Sequence, residues 1–132
     1  MNSLHSETFS FDDADVLERL LACSADDLDG LTFGVIGFDA MAVVTIYNAP
    51  EARWAGLARR DVIGTNMFEI VAPCMNNFLI AERFKNALET GITLDETLEY
   101  ILTLRMRPTP VTLRLLARPE SGTRYILVHR KQ

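Results

Sequence analysis

Cys74 is the residue with the most distinctive setting, since it follows Pro73 in the string Val-Ala-Pro-Cys. The pattern predicts a turn before this cysteine and the longest helix after it, over residues 75–89. A thiolate at a helix N-terminus is stabilised by the helix dipole and by unpaired backbone N–H groups. Such a group is suited to forming a covalent thioester. The alternative is a buried structural cysteine, which is how we interpret Cys23.

Tyr47 and Glu51 lie four residues apart in the string Tyr-Asn-Ala-Pro-Glu. Tyr47 ends a predicted strand and Glu51 falls in the turn that follows, so one compact turn can direct both side chains into the same cavity. A phenol and a neutral carboxylic acid are both hydrogen-bond donors. Two donors that converge on one oxygen suit a buried anion. A tyrosine at a strand end beside a surface glutamate is the alternative interpretation.

Other kinds of chemistry find little support in the sequence. The two histidines, His5 and His129, lie near opposite ends of the chain and have no paired spacing with the two cysteines, which argues against a zinc site and against a haem ligand. Neither a G-x-G-x-x-G string nor a P-loop is present. A cysteine nucleophile needs a base beside it, and no signature places a histidine near Cys74. We therefore expect a protein that is not an enzyme.

The elements that must position these residues follow a recognisable order. β-branched and aromatic runs predict strands, and apolar residues at helical spacing predict helices. Strands separated by a group of helices indicate an α+β fold with a central five-stranded antiparallel sheet flanked by helices. The predicted segments are helical turns at 13–22, 25–28, 49–58 and 61–64, the long helix at 75–89, and strands at 32–38, 43–47, 97–106, 111–117 and 124–130.

Two of these segments have a clear buried face. Along the fourth strand, Val111, Leu113, Leu115 and Ala117 alternate with residues that we expect on the opposite face of the sheet. The long helix is predicted to bury the side chains that recur at helical spacing, which are Phe78, Ala81, Phe84, Ala87 and Leu88. A sheet that carries helices on one face has room for a ligand between the two layers.

Charge is distributed unevenly along the chain. The net charge is −5, yet residues 1–30 contain eight acidic side chains and one arginine. This asymmetry predicts an acidic N-terminal helical cap, residues 1–27, lying on a mildly basic core, residues 28–132. The sequence has no cluster of basic residues of the kind that binds nucleic acids. No apolar run is long enough to span a membrane, and no secretory signal is visible, so we expect a cytoplasmic location.

Six short strings together match the pattern of one family of sensor domains. They are LDGLTFG at 28–34, YNAPE at 47–51, VIGTNMF at 62–68, VAPC at 71–74, RFK at 83–85 and RMRPTPV at 105–111. The chain resembles the photoactive yellow protein family, the xanthopsin branch of PAS domains, from about residue 11 to the end with one inserted residue near 93–95. The resemblance implies a PAS fold with an N-terminal helical cap.

The resemblance also implies a chromophore and a role for each site residue. The chromophore is 4-hydroxycinnamic (p-coumaric) acid, joined to Cys74 as a thioester whose carbonyl the Cys74 backbone N–H holds. Tyr47 and a protonated Glu51 donate hydrogen bonds to its phenolate oxygen, and Met106 matches a methionine that assists thermal return to the dark state. The implied function is a blue-light photoreceptor. Light isomerises the chromophore from trans to cis, Glu51 gives its proton to the phenolate, and partial unfolding signals to a separate downstream protein.

Two departures from the family pattern affect the expected site. Ala55 stands where well-known members have a threonine that bonds the tyrosine hydroxyl, and Leu57 stands where they have an arginine that covers the pocket. We therefore expect a partly protonated dark state with an additional band toward the ultraviolet. The alternatives are a PAS module that binds another ligand or senses redox through Cys74, and an interaction module that uses the sheet face as a dimer surface. We expect the protein to be a monomer or weak dimer. A flavin-type sensor is disfavoured because its Asn-Cys-Arg-Phe string is absent.

Overall fold

The computed structural model, which describes residues 9–103 and 108–130, contains one five-stranded sheet. The strands occur in the spatial order β2-β1-β5-β4-β3, and every neighbouring pair is antiparallel. This arrangement confirms the expected α+β class and the antiparallel sheet. The strands are β1 (Gly34–Phe38), β2 (Val44–Tyr47), β3 (Leu94–Leu102), β4 (Thr109–Ala117) and β5 (Arg124–Arg130).

The helices form two groups along the chain. Two precede the sheet, and the others lie between β2 and β3 together with two short irregular turns. In order they are α1 (Val16–Ala22), α2 (Ala25–Asp29), α3 (Ala49–Ala55), α4 (Arg59–Val62), a π-helical turn (Met67–Val71), a 3-10 turn (Pro73–Met75) and α5 (Ala81–Thr90).

The prediction of one long helix over residues 75–89 is wrong in its first part, because α5 begins only at Ala81. The side-chain oxygen of Asn77 accepts hydrogen bonds from the backbone N–H groups of Leu79 and Ile80, at 3.0 and 3.1 Å. This is the pattern of an N-terminal cap, so the turn that leads into α5 begins after Asn77 and not at Met75. As a result Phe78, which we expected to be buried, is 77% exposed.

The rest of the expected buried face of this helix is only partly present. Phe84 is buried and Ala87 packs against the core, whereas Leu88 is more than half exposed. Gly91 ends the helix with a positive φ of 68°. This left-handed conformation is one that glycine adopts without strain.

The sheet is buried on both faces, and each face has its own apolar core. The inner core lies between the sheet and the helices that follow β2, and the expected alternation of β4 is confirmed there. Its β4 members are Val111, Leu113, Leu115 and Ala117. Leu116 belongs instead to the outer core, together with residues of α1 and α2.

The N-terminal segment covers the outer face and is held there by arginines from β4 and its C-terminal end. Arg114 donates through Nη1 to the backbone carbonyl oxygens of Phe11 and Asp13, each at 2.8 Å. Arg118 forms an ion pair with Glu18 in α1 at 2.8 Å. Acidic and basic side chains therefore meet between this segment and the sheet. The division into units 1–27 and 28–132 stays a prediction.

Among the described residues, no helix has the length and apolar character needed to cross a membrane.

Candidate functional site

A buried asparagine, Asn48, joins β2 to α3 and uses all of its side-chain hydrogen-bonding capacity. Its Oδ1 accepts from the backbone N–H groups of Val35, at 2.8 Å, and of Glu51, at 3.2 Å. Its Nδ2 donates to the carbonyl oxygens of Leu28 and Phe33 at 2.9 and 3.1 Å. An asparagine before the first turn is a favourable helix cap. These four bonds fix the start of α3, and with it the position of Glu51.

The first turn of α3 also accommodates Pro50 without loss of a hydrogen bond, because N–H groups in the first turn have no partner inside the helix. The N–H of Ala49 is satisfied from outside the helix by Asp29, whose carboxylate oxygen lies 2.8 Å away. Pro50 is therefore compatible with the turn that carries Glu51.

Glu51 is 2% exposed and forms a buried ion pair with Arg130 at the end of β5. Nη1 of Arg130 lies 2.7 Å from Oε1, and Nη2 lies 3.1 Å from Oε2. Two parallel bonds of this kind match the planar guanidinium to a carboxylate. Burial raises the pKa of Glu51, and the Arg130 guanidinium opposes that shift without cancelling it. The expectation of a neutral Glu51 refers to the chromophore-bound protein and stays a prediction.

Gly34 allows this carboxyl group to lie directly against β1. A Cβ atom placed on Gly34 would lie 3.1 Å from the Cβ of Glu51 and closer still to Oε1. A side chain at position 34 and the observed rotamer of Glu51 therefore exclude each other.

Tyr47 and Cys74 are associated with one core. Tyr47 ends β2, pairs with Ile36 of β1 and is 3% exposed within the inner core. Cys74 is a free, partly buried cysteine that packs against the same core. Arg130 follows the inner-core residue Val128 at the two-residue period of a strand, so it lies on this face as well. The structure thus brings Tyr47, Glu51 and Cys74 to the inner side of the sheet. Met106 lies outside the described residues.

The backbone at Cys74 is fixed by Tyr100 and Asn77. The carbonyl oxygen of Cys74 accepts from the hydroxyl of Tyr100 at 2.6 Å and from Nδ2 of Asn77 at 3.1 Å. That Nδ2 also donates to the Tyr100 hydroxyl oxygen at 2.7 Å. The prediction that Cys74 lies at the N-terminus of the longest helix is wrong, because it lies in the three-residue 3-10 turn and α5 begins at Ala81. The argument from a helix dipole therefore does not apply to its thiol.

Three residues that shape the site were not identified from the sequence. Asn48 has a recognisable signal, since an asparagine three residues before a glutamate is typical of a helix start. Arg130 has a weaker one, because it continues the inward-facing positions of the last strand as a charged residue. Tyr100 has none, since its contact with Cys74 joins residues 26 positions apart.

Ala55 and Leu57 both lie near the end of α3. Ala55 is buried and Leu57 packs against the inner core from a partly buried position. Neither side chain carries a hydrogen-bond donor, so neither supplies the bond that a threonine or an arginine makes.

Within residues 9–103 and 108–130, no three His, Cys, Asp or Glu side chains are grouped closely enough to hold a metal ion.

Similarity to known proteins decides the family. The chain is 35% identical over 130 residues to the photoactive yellow protein of Halochromatium salexigens, and the alignment covers 98% of this chain and 99% of that protein. The chain belongs to the photoactive yellow protein family. A second family member, from Rhodothalassium salexigens, is 32% identical over 117 residues, which cover 88% of this chain and 93% of that protein. No family model matches the chain.

A solved structure of the same family supports the assignment of the fold. The photoactive yellow protein domain of the sensor histidine kinase Ppr from Rhodospirillum centenum superimposes with a TM-score of 0.78 at 29% identity. The match covers 86% of this chain and 98% of that domain. The PAS fold expected from the sequence, and the resemblance on which it was based, are both confirmed.

Proposed function

We propose that this protein is a blue-light photoreceptor that carries p-coumaric acid as a thioester on Cys74 and is not an enzyme. The observation that carries the proposal is the burial of the Glu51 carboxyl on the same side of the sheet as Tyr47 and Cys74. A carboxyl group is rarely buried without a specific partner or a functional role. Membership of the photoactive yellow protein family indicates such a role for Glu51.

The residues present fit such a group. Cys74 is a free thiol and is not fully buried, so an activated acid can reach its Sγ. The raised pKa of Glu51 favours the protonated acid, which can donate a hydrogen bond. The buried phenol of Tyr47 is the second donor. When bound, the chromophore supplies a double bond that light isomerises from trans to cis and a phenolate oxygen that accepts a proton.

The other steps belong to the chain itself. Tyr47 and Glu51 orient the bound group through their hydroxyl hydrogens, and the inner core excludes water. Glu51 then releases the proton on its carboxyl oxygen, which turns a neutral buried acid into a carboxylate beside Arg130. This change of charge in the interior perturbs the surrounding structure. Met106 is assigned the thermal return by resemblance alone.

The N-terminal segment is the part that we expect to respond. Its polar attachment includes the carbonyl oxygens of Phe11 and Asp13, which Arg114 binds, and the exposed carboxylate of Glu18. Its apolar residues pack on one face of the sheet only, and peripheral elements of this kind open at lower free energy than the central strands. We propose that residues 1–27 open after illumination and expose the outer face of the sheet.

A separate signalling protein then reads this change, and the protein acts in the cytoplasm as a monomer or weak dimer. The solved relative is a domain of a sensor histidine kinase, which links this family to signalling. A signalling partner of comparable kind is therefore proposed for this chain. We assign no nucleic-acid partner, because the sequence is acidic.

The decisive experiment treats the purified chain with activated p-coumaric acid and records its intact mass and absorption spectrum. Cys74→Ala removes the proposed attachment site, and Cys23→Ala is the matched control because Cys23 is the other free cysteine. We expect one adduct and a band that bleaches in light and recovers in darkness in the wild type and in Cys23→Ala. Absence of both from the wild type would refute the proposal and favour a PAS domain with another ligand.

A further inference from the structure

The ion pair between Arg130 and Glu51 has no counterpart among the roles that resemblance implies. Both side chains are almost fully buried, at 8% and 3% exposure. Two buried charges lose their hydration, so such a pair is maintained only when its geometry is good. The two bonds of 2.7 and 3.1 Å, one to each carboxylate oxygen, meet that condition.

Few other charges act on Glu51 from the elements that pack against α3. Strand β1, which makes more contact with this helix than α2 does, has no titratable side chain. In α2, Asp29 binds the backbone N–H of α3 and the side chain of Arg59. Arg53, in the last turn of α3 itself, is exposed to solvent.

The remaining titratable groups nearby lie on β2, on the 3-10 turn and on β5. Tyr47 belongs to the inner core, and Cys74 packs against it from a partly buried position. His129 contacts the ring of Phe11 on the outer face, with ring centroids 5.5 Å apart. Among the described residues, Arg130 is therefore the charge in direct contact with Glu51.

We propose that Arg130 is a positioning residue that holds the ionised carboxylate of Glu51 and thereby decides where the proton of this carboxyl group resides. The consequence in light rests on the proposed function. When the O–H bond of the Glu51 carboxyl breaks, its electron pair stays on the carboxylate and the proton forms an O–H bond on the phenolate oxygen. Nothing is oxidised or reduced in this step. The Arg130 guanidinium then binds both carboxylate oxygens.

This arrangement predicts a longer-lived signalling state than an unpaired carboxylate would give. An unpaired carboxylate in the inner core would recover its proton quickly, because burial favours the neutral acid. Arg130 compensates the charge and slows that return. The same contact lowers the pH at which Glu51 titrates before any chromophore is attached, so the two effects are separately measurable.

The test begins with the chromophore-free protein and an infrared titration from about pH 4 to about pH 9. The band of the protonated Glu51 carboxyl is identified by its loss in Glu51→Gln. We expect Arg130→Gln to raise the titration midpoint of that band by about one pH unit or more, and Arg130→Lys to raise it less, because lysine keeps the charge but not the paired geometry. Arg83→Gln is the control, since the ion pair of Arg83 with Glu96 is far more exposed than that of Arg130 with Glu51.

The second measurement uses the chromophore-loaded variants and follows recovery in darkness after a flash. We expect recovery about tenfold faster in Arg130→Gln, the factor that corresponds to one pKa unit. Near-ultraviolet circular dichroism establishes whether each variant is folded. If Arg130→Gln is unfolded, the recovery rate of Arg130→Lys is the test.

An unchanged titration midpoint in a folded variant of Arg130 would overturn the proposal, as would an unchanged recovery rate in a loaded one. Failure of the proposed function gives a different result, namely no adduct on Cys74 by mass. In that event the titration, which needs no chromophore, still decides whether Arg130 controls the proton of Glu51.

Discussion

The side chain of Glu51 fills the space that a side chain on Gly34 would need. The carboxyl oxygen Oε1 lies where the Cβ of any other residue at position 34 would stand. Gly34 pairs with Val128 on β5, two residues before Arg130, so the strand contact and the ion pair lie side by side. The glycine therefore admits Glu51 to a site that the sheet would otherwise close.

The first prediction follows from this contact. Gly34→Ala should displace the Glu51 side chain from Arg130 and lower the free energy of unfolding by about 1–3 kcal/mol through overpacking. Gly122→Ala is the control, because a Cβ there meets no atom within 4 Å, and it should change stability by less than about 0.5 kcal/mol. Urea denaturation measures both. Equal effects of the two substitutions would show that the close contact is unimportant.

The second prediction concerns Asn48, whose side chain satisfies four backbone groups. Asn48→Ala should lower the free energy of unfolding by at least about 2 kcal/mol, since it removes a helix cap and leaves buried polar groups without partners. Asn66→Ala removes a comparable cap from the π-helical turn at a partly buried position. It should cost about 1 kcal/mol. Thermal and urea unfolding compare them, and a smaller loss in Asn48→Ala would contradict the structural role.

The third prediction is a dependence of stability on pH. Burial raises the pKa of Glu51 above its ordinary value of 4.5. A raised acid pKa contributes stability that is complete below the unfolded-state pKa and is lost as the pH rises through the folded-state pKa. The stability of the wild type relative to Glu51→Gln should therefore fall as pH rises above 4.5, by up to about 1.4 kcal/mol per pH unit.

Unfolding by urea at a series of pH values checks this sign in the chromophore-free protein. Glu120→Gln, at an exposed position, reports the background that any lost acid produces. A relative stability that rises with pH would instead mean that Arg130 outweighs burial.

The fourth prediction tests how the N-terminal segment is attached. Arg114 contacts the carbonyl oxygens of Phe11 and Asp13 and the carboxylate of Asp95. Arg114→Gln should accelerate hydrogen exchange across α1 and lower the free energy of unfolding by about 1.5–3 kcal/mol, the range for hydrogen bonds to charged groups. Arg83→Gln, which breaks a more exposed ion pair, should leave exchange in α1 unchanged. Slow exchange in both variants would exclude Arg114 as the attachment.

The fifth prediction concerns the colour of the loaded protein. Because Ala55 and Leu57 supply no hydrogen-bond donor, we expect part of the chromophore to be protonated in the dark and to absorb toward the ultraviolet. Ala55→Thr should move population to the blue band, whereas Ala52→Thr, one helical turn earlier, should move less. Absorption between about pH 6 and about pH 9 measures this. A single wild-type blue band, insensitive to pH, would contradict the expectation.

Local pattern was enough to predict the sheet and its buried faces. The alternation of Val111, Leu113 and Leu115 predicted which face of β4 is buried, because strand geometry turns every second side chain to the same side. The spacing of Tyr47 and Glu51 around a helix start likewise predicted that both belong to one turn. The short strings shared with the family predicted the PAS fold.

Contacts between distant residues were decided only by the tertiary structure. Arg130 and Glu51 are 79 positions apart, and their pairing depends on the register that sets β5 beside β1 at Gly34. The start of α5 was missed because the side chain of Asn77 caps the turn that leads into this helix, a contact that periodicity does not record. The sequence by itself determined which faces are apolar and to which family the chain belongs. The folded sheet determined which charge meets the buried acid, because partners are chosen by proximity in space.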